Sequence, residues 1–310
     1  MIDILLATYN GEKYLPELLL SIEKQTYREW NLIVSDDGST DRTLKILNDF
    51  EKKYKDKVHI YCNKSGSAKN NFFSMLKYAK HDYIMFCDQD DIWLENKISR
   101  MMEQIQTMEQ KKGENIPILI ASDLKVVDER LNIINESFYN YLEYDHDFSI
   151  NRLMCQNKIP GCSMLFNKGL LTLLLGVKLN TDYISMHDSW VALVAAIFGK
   201  IEFLDEQLIL YRQHGDNSVG AEDVNSLSYK IKKIKNIEAL KKDNMSRIIE
   251  VKYLYELYGE SMDEKVKIIV RQFAQLYEKN RLEYRILCLK HKFLKTPLKR
   301  AVIQLVFCHK

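Results

Sequence analysis

No Cys-x-x-Cys spacing links any of the six cysteines, Cys62, Cys87, Cys155, Cys162, Cys288 and Cys308, so neither a zinc ribbon nor a disulfide scaffold is indicated. Several of them lie in apolar runs where a small thiol packs as a hydrophobe, which points to a reducing, cytoplasmic compartment. No stretch approaches the roughly 18 uninterrupted apolar residues of a membrane span, and no basic segment followed by an apolar one opens the chain. A protein that is neither exported nor integral is therefore expected. Also missing are a Gly-x-x-x-x-Gly-Lys-[Ser/Thr] phosphate loop, internal repeats and low-complexity tracts. With 310 residues, 46% hydrophobic and 28% charged, the chain is expected to form one large domain plus an appendage.

Charge is spread unevenly. Residues 281–310 hold eight basic residues against Glu283 alone, a surplus of +7 within a total of +2, which leaves −5 on the remainder. That asymmetry suggests a tail that meets an anionic surface.

What is present is an alternation of apolar runs and amphipathic segments. The stretch 2–7 reads as a strand, followed by the polar turn Thr8-Tyr9-Asn10-Gly11 and a helix with Leu15, Leu18, Leu19 and Ile22 on one face. The strand 31–35 runs into Asp36-Asp37-Gly38-Ser39-Thr40-Asp41, where Ser39 or Thr40 is placed to cap a helix bearing Leu44, Leu47 and Phe50. Strand, helix and strand follow at 58–62, 69–80 and 83–87. Further on, 94–111 reads as a helix, 116–127 and 161–167 as strands, 189–198 as a buried helix, and 201–204 and 208–211 as two short strands. Such alternation implies right-handed crossovers and a largely parallel sheet, whose ligands bind beyond the carboxyl ends of the strands. Thr8-Tyr9-Asn10, Asp36-Asp37 and Asp88-Gln89-Asp90 all fall on that edge. After about Gly220 the pattern changes to Lys-rich helical segments, so the domains are drawn as 1–220 and 221–310.

In Tyr83-Ile84-Met85-Phe86-Cys87-Asp88-Gln89-Asp90-Asp91-Ile92-Trp93, a buried-strand pattern ends abruptly in three carboxylates. Hard oxygen ligands at a strand terminus suit Mg2+ or Mn2+, and hence an enzyme acting on phosphates; a solvated turn is the other reading.

Five segments decide between them: Ala7-Thr8-Tyr9-Asn10-Gly11, Ser35 to Asp41, Cys87 to Trp93, Met186-His187-Asp188-Ser189-Trp190 and Leu210-Tyr211-Arg212-Gln213-His214. In this order and spacing the chain resembles a bacterial family 2 glycosyltransferase of the rhamnosyltransferase-like branch that builds surface polysaccharides. The resemblance covers about 1–220. It implies the GT-A fold, a Rossmann-like α/β class with a mixed, mainly parallel sheet, here followed by an α-helical C-terminal region. It also implies an inverting, metal-dependent transfer from a nucleotide sugar, most plausibly dTDP-rhamnose, to a lipid-linked saccharide acceptor. A UDP-hexose or UDP-N-acetylhexosamine donor is the alternative. From other classes, a sugar nucleotidyltransferase would need a Gly-rich basic loop where Thr8-Tyr9-Asn10-Gly11-Glu12 stands. A silent glycan-binding protein would not need Asp90, Asp188 and His214 together.

By the same resemblance, Asp90 and His214 bind Mn2+ or Mg2+, and Asp88 and Gln89 face the ribose or the water shell of the metal. Asp91 either ligates or caps the following helix. Ala7, Tyr9, Asp37 and Lys69 complete the nucleotide-sugar site: Tyr9 stacks on the base, Asp37 accepts its N3–H, and Lys69 offers a cation to the diphosphate. Asp188 is the general base, with His187, Trp93 and Trp190 at the acceptor; aromatic packing is the competing role for both tryptophans.

The segment 290–307 mixes basic and bulky apolar residues. Lying in the headgroups of the inner membrane, packing as an ordinary solvated helix and forming a homodimer are its three open uses, and Tyr253, Tyr255 and Tyr258 could serve the latter two. Nucleic acid is not expected as a partner, because no recognisable binding motif accompanies the basic residues.

Overall fold

The computed structural model describes residues 1–113, 116–215 and 237–309. They fall into two compact units, one of Met1–Phe138, Ile159–Gly176 and Gly199–Gly220, the other of Tyr139–Lys158, Val177–Phe198 and Ala221–Lys310. The division is therefore interleaved rather than a single cut near Gly220.

The strands are β1 (Ile2–Thr8), β2 (Trp30–Asp36), β3 (Val58–Cys62), β4 (Tyr83–Asp88), β5 (Ile92–Trp93), β6 (Ile118–Val127), β7 (Ile133–Asn135), β8 (Met164–Asn167) and β9 (Lys200–Arg212). Helices follow as α1 (Leu15–Glu23), α2 (Thr43–Lys53), α3 (Ala68–Met75), α4 (Lys97–Lys112), α5 (Phe138–Leu142), α6 (Ile150–Cys155), α7 (Lys168–Leu175) and α8 (His187–Phe198). Four more helices span Ile237–Tyr258, Glu264–Ala274, Arg281–Lys290 and Leu298–Phe307.

All strands belong to one sheet of the first unit, in the order β3-β2-β1-β4-β8-β6-β9-β5, with β7 paired to β6. β1 runs parallel to β2 and β4 and is buried along nearly its whole length, as its largely apolar sequence suits a central strand; the buried Asp3 within it is satisfied by Asn31 and the Lys80 amide. The sheet turns mixed at β8, antiparallel to both β4 and β6. Register aligns Thr8 with Asp36 and Ala7 with Asp88, so the polar ends of three strands form one rim.

Three local expectations change. β9 is one strand instead of two, because its register against β6 shifts twice, near Ser122 and Asp123, and the chain absorbs the irregularity without leaving the sheet. At α2 the amide of Thr43 is held by Asp41 Oδ1 at 2.9 Å, while Ser39 and Thr40 bond to the first loop instead. α4 begins after Asn96, five residues beyond Asp91, so Asp91 caps no helix.

In the second unit, α6 packs against α8 and against Ile237–Tyr258. The Glu250 carboxylate accepts hydrogen bonds from the Ser185 amide (3.1 Å) and hydroxyl (2.7 Å), and Arg247 pairs with it at 2.5 Å while donating to the Met154 carbonyl at 3.2 Å. This buried pair fixes the segment leading into α8. The Tyr-rich pattern packs internally: the Tyr253 hydroxyl accepts from the Asn180 amide at 2.6 Å, and Trp190 lies 5.7 Å from the Tyr253 ring and 6.3 Å from that of Tyr258. Among the described residues, no helix is long and apolar enough to cross a membrane.

His187, at the start of α8, is 4% exposed, and burial lowers its pKa to about 3. Since the folded value lies below the ordinary 6.5, the neutral ring's contribution to stability is complete above pH 6.5 and is lost as pH falls towards 3. At about 1.4 kcal/mol per pH unit, the wild type should lose roughly 2–3 kcal/mol more than His187→Leu between pH 6.5 and 4.5. Urea melts at the two pH values read this directly; parallel acid limbs would remove His187 as the cause.

Candidate active site at the carboxyl rim of the sheet

The rim is built by two loops that exchange hydrogen bonds. From the β1–α1 loop, the amides of Asn10, Gly11 and Glu12 donate to Ser39 Oγ (2.9 Å), Thr43 Oγ1 (2.8 Å) and Asp41 Oδ2 (3.0 Å). In return, the amides of Thr40 and Arg42 donate to Asn10 Oδ1 and Glu12 Oε2, both at 2.9 Å. Asp36, fully buried, accepts from the Thr8 hydroxyl at 2.9 Å and the Ser39 amide at 2.8 Å. The Gly11 amide is buried and needs a partner, and side chains of the neighbouring loop supply acceptors to it and to the more exposed amides alike.

Gln89 ties in the third strand. Its Oε1 accepts from the Tyr9 amide at 2.9 Å and its Nε2 donates to the Tyr9 carbonyl at 3.0 Å. With its amide engaged at both ends, Gln89 positions Tyr9. The Tyr9 ring stays 57% exposed, open on the solvent side of the rim, and Ala7 is partly exposed at the end of β1. A Cβ on Gly11 would lie 2.3 Å from Gln89 Oε1, so only glycine passes beneath this bridge. Asp37 takes a different role from Asp36: its Oδ1 accepts from the amides of Ser65 and, at 3.4 Å, Gly66. That bond brings the 63–67 loop to the rim, and Lys69 sits partly exposed in the first turn of α3 behind it.

Asp90 and His214, the two residues expected to hold a metal, meet: His214 Nε2 lies 2.8 Å from Asp90 Oδ2. Arg212 makes the meeting possible and was not foreseen as a site residue. Only 3% exposed, Arg212 donates through its guanidinium to the carbonyls of Asp90 (2.9 Å) and Glu129 (2.8 Å) and pairs with Glu17. It also stacks 4.7 Å from the Tyr14 ring, whose centroid lies 4.7 Å from that of His214. A buried arginine ending an apolar strand must be paired, and that was the sequence signal.

Two acidic groupings compete for a cation. Asp88, Asp91 and Cys162 place ligand atoms within 4.8 Å of one another, but one of the three is a buried thiol. Burial, then the charges of Asp90 and Asp88, pushes the Asp91 carboxyl well above the usual range, and burial raises the Cys162 thiol likewise. A thiol is a soft ligand and makes a poor partner for a hard ion. The Asp90 carboxylate and the His214 imidazole fit better: neighbouring ligands of an octahedral ion with bonds of about 2.1 Å lie about 3 Å apart, close to their observed spacing.

The acceptor assignments require correction. Trp93 is 2% exposed with the Lys97 ammonium 3.2 Å from its ring centre, Trp190 is fully buried and His187 nearly so, and a ring without an accessible face cannot stack on a sugar. Lys97 itself, buried and bonded to the Cys162 carbonyl at 2.8 Å, has its pKa lowered by burial to about 8. Asp188 lies in the first turn of α8, partly exposed, with Oδ1 accepting from the Ser189 amide at 2.6 Å.

Set against known proteins, residues 3–152 match the sequence profile described as Glycosyl transferase family 2. The chain is 30% identical over 238 residues to the dTDP-rhamnosyl transferase RfbG of Shigella flexneri, covering 73% of this chain and 76% of that protein. It is 34% identical over 106 residues to the UDP-Glc:alpha-D-GlcNAc-diphosphoundecaprenol beta-1,3-glucosyltransferase WfgD of Escherichia coli, spanning 34% of this chain and 41% of WfgD. Among solved structures, S. aureus TarS 1-349 in complex with UDP aligns with a TM-score of 0.56 at 16% identity, over 92% of this chain and 74% of that one. The shared architecture is the GT-A fold, as expected.

Gly11→Ala should break the Gln89–Tyr9 bridge and cut turnover about 10- to 100-fold while leaving the far-ultraviolet spectrum unchanged. Because both changes remove one bridge, Gly11→Ala/Gln89→Ala should be little worse than either single variant. Fully additive losses in kcat/KM would contradict the bridge.

Proposed function

The chain belongs to glycosyl transferase family 2, and on that premise we propose that it transfers rhamnose from dTDP-rhamnose, with inversion, to a growing cell-surface polysaccharide. The observation that carries the site reading is the Asp90–His214 pair at the sheet's carboxyl rim. The donor rests on the 30% identity to RfbG across three quarters of that protein.

In this reading the exposed Tyr9 ring stacks on the base, and Asp37, with one oxygen committed to the Ser65 amide, accepts the pyrimidine N3–H with the other. Ala7 and Asp88 line the ribose side, and Lys69 faces the diphosphate. Asp90 and His214 would hold Mn2+ or Mg2+, which when bound supplies Lewis acidity against the charge growing on the departing diphosphate. Asp188 takes the proton of the acceptor hydroxyl as that oxygen attacks C1 from the face opposite the leaving group. Its partly exposed place in the first turn of α8 supports this role, because a base must be within reach of the acceptor hydroxyl. The name of WfgD specifies a diphosphoundecaprenol-linked acceptor, which supports a lipid-linked saccharide as acceptor here.

A UDP-sugar donor is the second reading. It is favoured by the WfgD similarity and by the TarS fold, solved with UDP and with UDP-GlcNAc, since an Asp37 contact with N3–H suits uracil and thymine alike.

Thermal-shift measurements with dTDP-rhamnose, UDP-glucose, UDP-GlcNAc and GDP-mannose, with and without manganese, test both. A donor at 100 times its Kd stabilises by about 2.7 kcal/mol, several degrees for a domain of this size. A manganese-dependent shift with dTDP-rhamnose alone is expected. A shift with UDP sugars alone replaces the donor, and no shift with any of the four refutes the site. Asp188→Asn should lower kcat about 10²- to 10⁴-fold without changing donor affinity; near wild-type turnover would exclude Asp188 as the base.

A further inference from the structure

We propose that the last two helices present an anionic-lipid docking face. It goes beyond the transfer reaction and does not depend on the donor or the base. Arg281–Lys290 buries Tyr284 and Cys288, one turn apart, and leaves Leu282, Ile286 and Leu289 exposed by 68%, 54% and 58%. By helical spacing these three share one stripe, flanked by Arg285 on one side and Lys290 on the other. Leu298–Phe307 buries Ala301 and Gln304 and exposes Leu298 by 79% and Val302 by 51%, again one turn apart.

The two helices are fastened to each other. Arg281 donates to the Val306 carbonyl at 2.6 Å and Arg285 to the Leu305 carbonyl at 2.9 Å, so their guanidinium charges stay beside the apolar stripe. Lys295 and Lys299 are paired with Asp243 and Glu143. Arg281, Arg285, Lys290, Lys292 and Arg300 have no carboxylate partner among the described residues. Large aliphatic side chains flanked by these cations, with Glu283 the one acid on the two helices, match a surface that is apolar below and anionic at its boundary. A second copy of this chain fits worse, because a two-fold interface would set the same cations against each other.

The face binds bilayers containing phosphatidylglycerol, with the aliphatic stripe among the acyl chains and the cations among the phosphates. The test is cosedimentation of the full chain with vesicles of phosphatidylcholine alone or with 30% phosphatidylglycerol, at low and high salt and without any nucleotide sugar. Binding is expected only with the anionic lipid and should weaken at least 10-fold from about 50 to 300 mM salt. Ile286→Ser/Leu289→Ser/Val302→Ser should weaken it at least 10-fold with an unchanged melting temperature, and Lys290→Gln/Lys292→Gln should do so by a smaller factor. No binding to anionic vesicles overturns the proposal, as does binding that the aliphatic changes leave untouched. Sedimentation equilibrium showing a dimer that these changes dissolve would assign the face to a second copy instead. Failure here leaves the donor panel unaffected, so the two readings fail separately.

Discussion

A loop that must show backbone and side chains to a ligand cannot satisfy its own amides in a sheet ladder, and this constraint governs the rim. The β1–α1 and β2–α2 loops solve it by trading side-chain acceptors for each other's amides, from Asn10 with Ser39 and Thr40 to Glu12 with Asp41 and Arg42. The buried Gly11 amide depends on the exchange most, through Thr43 Oγ1. Asp36 anchors the exchange at its buried end, Gln89 extends it to β4 through the Tyr9 peptide, and Asp37 extends it to the 63–67 loop. The ends of β1, β2 and β4 therefore behave as one preorganised edge.

Arg212 performs the equivalent task on the other side of the acidic turn. The carboxylates of this acidic strand end repel one another, and that repulsion, after burial, pushes the Asp91 carboxyl up. A buried guanidinium gripping the Asp90 carbonyl and the Glu17 carboxylate supplies compensation and fixes the turn relative to β9. Arg212 stacks on Tyr14, and the Tyr14 ring in turn lies beside that of His214.

The framework was legible because its signals are local and redundant. Buried parallel strands show as apolar runs, and polar clusters at their ends mark the ligand rim, so β1, β2, β4 and the pairing partners Asp90 and His214 followed from pattern and resemblance. What escaped depends on three dimensions. Asp36 and Asp37 are adjacent in sequence yet one is a buried hub and the other faces the 63–67 loop, because successive residues leave a strand on opposite sides. Nothing local shows that Gln89 closes on Tyr9, or that Lys97 covers Trp93. Tyr139–Lys158 and Val177–Phe198 join the C-terminal helices through apolar faces that the sequence order hides, and the Arg247–Glu250 pair binding Ser185 spans more than 60 residues.

The central claim is that this rim holds a nucleoside diphosphate and its cation through separate residues, the base by Asp37 and the ion by Asp90 with His214. Calorimetric titration of dTDP and UDP, each with and without saturating manganese, into the wild type, Asp37→Ala and His214→Ala separates the two. Both variants should bind the better nucleotide at least 10-fold more weakly in manganese. The manganese enhancement should persist in Asp37→Ala and vanish in His214→Ala. An enhancement undiminished in His214→Ala would contradict the account.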